Sequence, residues 1–116
     1  MLSAAVAPHL HATVQALTAD PDHPGAMTDA IASVVDEGVP VPIGVRWSTG
    51  GGHAMLVADV AENPAGRAFL VADPWTGVSA WISEAALLAG DLRAIDAKNP
   101  PAALAAAWLM IPKESQ

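Results

Sequence analysis

From Val39 onward, apolar residues recur at every second position in short runs separated by glycine, proline and asparagine, the period of strands that turn one face to a core. Val39–Trp47 reads as a β-branched strand. Pro40 and Pro42 lack backbone donors, so its beginning is expected at an edge or outside the ladder. Ser48–Gly52 supplies a permissive turn, and His53–Val60 and Arg67–Asp73 follow as a hairpin joined by Ala61–Gly66. Ser79–Ile82 adds a short strand. Helical spacing is expected at Met27–Glu37, with Ile31, Val34 and Val35 on one face, Thr28 as N-cap and Gly38 as stop. A second helix runs from a Ser83 cap to about Leu88 or Ala89, with Gly90 near its end. The alanine-rich beginning predicts a short helix over Pro8–Leu17, and Thr18–Gly25 a loop. The apolar tail after Pro100 and Pro101 is compatible with helix, strand, or one then the other. The expectation is an α+β fold, an antiparallel sheet of about four strands with flanking helices. Residues 1–25 form an N-terminal helical segment and loop, and 26–116 the sheet unit.

The hairpin register can be proposed from its polar positions. If paired residue numbers sum to 126, His53 lies opposite Asp73, Met55 opposite Val71, Val57 opposite Phe69, and Asp59 opposite Arg67. A slip by one residue would turn every side chain of one strand to the other face.

At 116 residues, 53% hydrophobic and 15% charged, with mean hydropathy +0.36, the chain is one domain's worth and too apolar for disorder. A net charge of -7 with five Lys and Arg argues against nucleic acid or an anionic membrane as partner. The longest apolar run, around Ala102–Ile111, is far short of the roughly 20 residues a membrane span needs. No basic segment precedes an apolar run at the N-terminus, so a signal peptide is not evident and the chain reads as soluble. The absence of Cys removes disulfides, thiolate metal sites and thiol nucleophiles together.

The block that carries chemistry is Gly50-Gly-Gly-His-Ala-Met-Leu-Val57, then a hairpin loop, then Ala68-Phe-Leu-Val-Ala-Asp-Pro-Trp75. A His beside a carboxylate on the next strand suits a general base, the carboxylate holding the Nδ1 proton and stabilising the imidazolium. Pro74 would keep Asp73 extended, Trp75 could cover the pair and exclude water, and the glycines would let another segment approach the ring. This ordered set over about Ile31–Leu92 resembles the C-terminal half of bacterial papain-like cysteine peptidases, and is most similar to their C39-like and AvrRpt2-like groups. The resemblance implies a papain-like sheet half with His53 as base and Asp73 as its orienting carboxylate. Trp47, Gly52 and Trp75 are the candidate peptide-binding residues, and the strand from Val39 could pair with an extended peptide.

The departure from that family is the nucleophile. Its Cys begins a helix in the N-terminal lobe, whereas here there is no Cys and only about 25 residues precede the matching segment. Ser3 is not marked as an activated substitute. The chain is therefore expected to be inactive alone. Its nucleophile would come from a Cys-bearing N-terminal segment or a second chain; the alternatives are a peptide-binding pseudo-peptidase or an oligomerisation module. Partners would be a peptide or protein ligand and a second copy. His9, His11 and His23 with Asp20 and Asp22 match no compact ligand spacing, so neither metal nor cofactor is expected.

Overall fold

The computed structural model describes residues 12–20 and 22–112. Its elements in chain order are β1 (Ala12–Thr18), α1 (Pro24–Asp36), β2 (Val41–Trp47), β3 (Gly52–Asn63), β4 (Gly66–Asp73), β5 (Val78–Ser83), α2 (Glu84–Ala89) and β6 (Ala102–Pro112). The fold is α+β and mostly sheet: six strands in the order β1-β6-β2-β3-β4-β5, with every neighbouring pair antiparallel.

Two strands beyond those expected come from the alanine-rich ends. Ala12–Thr18, read as part of a helix, is instead an edge strand, and Pro8–His11 of that expected helix lie outside the described residues. Alanine favours helix, and tertiary pairing overrides that preference: β6 offers a full antiparallel ladder along β1. The apolar tail takes its strand alternative and inserts between β1 and β2, which makes β1 part of the same sheet as residues 26–112.

That insertion also places β2 inside the sheet. The β2/β6 ladder starts only at Ile43, so Pro40 and Pro42 lie where one side of the strand has no partner to receive a donor. From Ile43 on, β2 is flanked on both sides by described strands, which leaves only Val41 and Pro42 with a free side, too short a stretch to pair with an extended peptide. Among the described residues the free edges belong to β1 and β5.

Helix α1 begins three residues earlier than expected. Pro24 occupies its first turn and His23 precedes it, while Thr28 is fully buried and donates its hydroxyl to the Gly25 carbonyl rather than capping. Gly38 at φ 87° ends it as expected, its N–H returning to the Val35 carbonyl. Helix α2 follows its sequence signals closely. The Ser83 hydroxyl accepts from the Ala86 N–H, and Gly90 is left-handed at φ 78°.

The core lies between α1, α2 and one face of the sheet. Ile31 and Val35 of α1 pack with Ile43, Val57, Phe69 and Val71, all between 0 and 3% exposed. The alternate residues point to the other face, where Val14, Trp81, Trp108 and Met110 are exposed. Trp108 lies across Gly44 there, its ring 3.2 Å from where a Gly44 Cβ would stand.

A candidate His/Asp site at one end of the sheet

The site grows from three neighbouring strands. Val45 of β2 pairs with His53 of β3, and both point toward the helix-covered face. In the β3/β4 hairpin the observed pairs are Leu56 with Ala72 and Val57 with Val71, a sum of 128 rather than 126. Beyond Val57 a bulge shifts the register again, so that Val60 meets Phe69 and Glu62 meets Arg67. The expected direct pairs of Val57 with Phe69 and Met55 with Val71 are therefore corrected. The slip near the site is by two residues, which preserves the side-chain face. His53 and Asp73 remain on one face and meet along a diagonal rather than directly across.

The contact is close: Nε2 of His53 lies 2.9 Å from Oδ1 of Asp73, with 15% and 8% of the two side chains exposed. Oδ1 also accepts from the Trp75 N–H at 2.9 Å, and the Gly77 N–H closes the turn on the Asp73 carbonyl. Burial acts to raise the Asp73 carboxyl. The hydrogen bond from His53 and those from the Trp75 and Thr76 N–H groups outweigh it, and the carboxyl sits below its ordinary value. An ionised carboxylate can only accept, so His53 carries a proton on Nε2. This corrects the expected tautomer: Nδ1 is the nitrogen left to act as base. Nδ1 has no hydrogen-bond partner among the described residues, and it is not fully buried, since no fully buried side-chain nitrogen or oxygen is left unsatisfied there.

Trp47, on the next strand over and also diagonal to His53, lays its ring against the imidazole with centroids 5.7 Å apart and planes 31° from parallel. It performs the covering expected of Trp75, whose own side chain is 83% exposed and which contributes its backbone N–H instead. Gly52 begins β3 beside His53 and pairs with Arg46. The preceding glycines do not admit a neighbour closely. Gly50 and Gly51, at φ 107° and 85°, have nothing within 4 Å of where a Cβ would stand and serve the turn itself. Trp81 is on β5, opposite Leu70 on the uncovered face.

Other expected contacts resolve differently. Arg67 does not pair with Asp59; it binds Glu84 of α2 and Asp29 of α1, tying β4 to both helices. Asp59 accepts from the N–H of Val60 at the bulge. His23 contacts Asp20 at 3.1 Å, while His9 and His11 lie outside the described residues. Among the described residues no three His, Cys, Asp or Glu side chains gather as a metal site, and no helix is long and apolar enough to cross a membrane.

The arrangement can hold an imidazole in one tautomer and take up a proton at Nδ1. Sequence reasoning missed the Thr76 N–H and the turn to Gly77, although Asp-Pro followed by a glycine is a turn signal. Compared with protein-family models, curated proteins and solved structures, the chain matches none of them.

Proposed function

We propose that this chain is the sheet half of a papain-like cysteine-peptidase domain, supplying base and orienting carboxylate to a site whose thiol comes from another segment or chain. The observation that supports it best is the orientation of His53: Nε2 is bound to a buried carboxylate, while Nδ1 is not fully buried and is unpartnered among the described residues. A thiol brought to Nδ1 would lose its proton there and attack a peptide carbonyl. The same nitrogen would return the proton to the leaving amine, with Asp73 stabilising the imidazolium. Without that thiol the chain binds peptide and does not cut it, a second reading favoured by the absence of Cys.

The test is a titration of the purified 116-residue chain with quenched fluorescent peptides, followed by NMR. No turnover is expected, with shifts at the His53 ring and the Trp47 indole N–H, and the His53 shifts should be lost in Trp47→Ala. Peptides that leave both residues unmoved would overturn the cleft reading. Turnover lost on His53→Ala would show that a nucleophile is already present.

A further inference from the structure

We infer that the uncovered face of the sheet is the interface of a homodimer in which two copies pack face to face as a β-sandwich. Four large apolar side chains stand exposed on this one face: Val14 at 61%, Met110 at 50%, Trp81 at 47% and Trp108 at 39%. Gly44 lies beneath the Trp108 ring, and its small neighbours Ala106 on β6 and Ala54 on β3 leave lower ground beside that ridge. Such relief lets a face interdigitate with its own copy.

Size and charge both point to a second copy as the occupant. Six strands about 4.8 Å apart and on average about 28 Å long give a face of roughly 800 Å², or about 1,600 Å² across two copies. That falls within the range of about 1,200–2,000 Å² for stable interfaces. The chain carries a net charge of -7, yet β2 and β3 place one charge of each sign on this face. Arg46 is exposed at the turn end of β2, without an ion-pair partner among the described residues. Asp59 is exposed toward the far end of β3, opposite Leu70. A two-fold axis across the strands near Leu56 exchanges these ends, bringing Arg46 of each copy over Asp59 of the other. The pairing is isologous, as a two-fold interface requires. His53 and Asp73 are on the opposite face and stay open in such a dimer.

Sedimentation equilibrium of the full chain should give twice the 11.8 kDa chain mass. Arg46→Asp and Asp59→Arg should each weaken dimerisation at least about tenfold, and the double exchange should restore it. Met110→Lys, at a half-exposed position that leaves the core untouched, should give a folded monomer by circular dichroism. A wild-type monomer at about 100 μM would overturn the inference, as would a dimer that Met110→Lys and both charge reversals leave intact.

Discussion

Asp73 is a buried carboxylate whose Oδ1 accepts two donors, the imidazole Nε2–H and the Trp75 N–H. Removing it leaves both without an acceptor in a site that is mostly closed to water. Asp73→Ala should therefore cost about 1–3 kcal/mol in urea unfolding and free His53 to exchange tautomers, visible in the ring ¹⁵N shifts. The pH dependence follows from the lowered carboxyl. A group whose folded value lies below its ordinary 3.8 contributes stability that is full above 3.8 and is lost as pH falls through the folded value. The stability advantage of wild type over Asp73→Asn should accordingly be present in full above 3.8 and shrink below it; a constant gap down to acid pH would contradict it. The pair itself was legible from residue type and strand parity, because a two-residue slip preserves parity. The nitrogen it uses was not legible, since either ring nitrogen can meet a carboxylate and only the diagonal approach decides.

At the scale of elements, the two ends of α2 show how much local chemistry specifies. Ser83 and Gly90 bracket the helix as their side chains predict, yet Gly90 carries a demand that capping rules do not reveal. A Cβ there would stand 1.5 Å from the Ala102 carbonyl oxygen, because the chain entering β6 crosses directly against it. Gly77 has nearly the same backbone, φ 73° against 78°, with open space around it. Gly77→Ala should cost about 1 kcal/mol for the left-handed backbone alone, and Gly90→Ala about 2–5 kcal/mol once the clash is added; equal melting losses would refute the close approach. The β3 bulge was hidden for a related reason. An extra residue at Ala58 turns Asp59 to the uncovered face and Val60 to the core, and it shifts every partner beyond it, which is why Arg67 meets Glu62 in the ladder and not Asp59.

For the whole molecule the governing feature is the place of β6. It is the last of the described strands in the chain yet sits inside the sheet, between β1 and β2, where it contributes the buried Ala107 and Leu109 to the core. A chain ending at Pro101 would lose the strand that β1 pairs with and one side of β2. It should show no cooperative thermal transition by circular dichroism, and a sharp transition would disprove this dependence. Strand composition could not announce the arrangement, because the many alanines of Ala102–Ala107 favour helix on their own and the partner strands are remote in sequence.

That topology sets a condition on biosynthesis. From Thr18 to Ala102 lie about 80 residues, roughly 4–16 s of translation at about 5–20 residues per second. For that interval the earliest strand waits without its mate while β2 shows the nascent chain's surroundings a bare row of amides and carbonyls beside an apolar surface. Until β6 arrives that edge is free to pair with another chain, so refolding yield should fall as chain concentration rises.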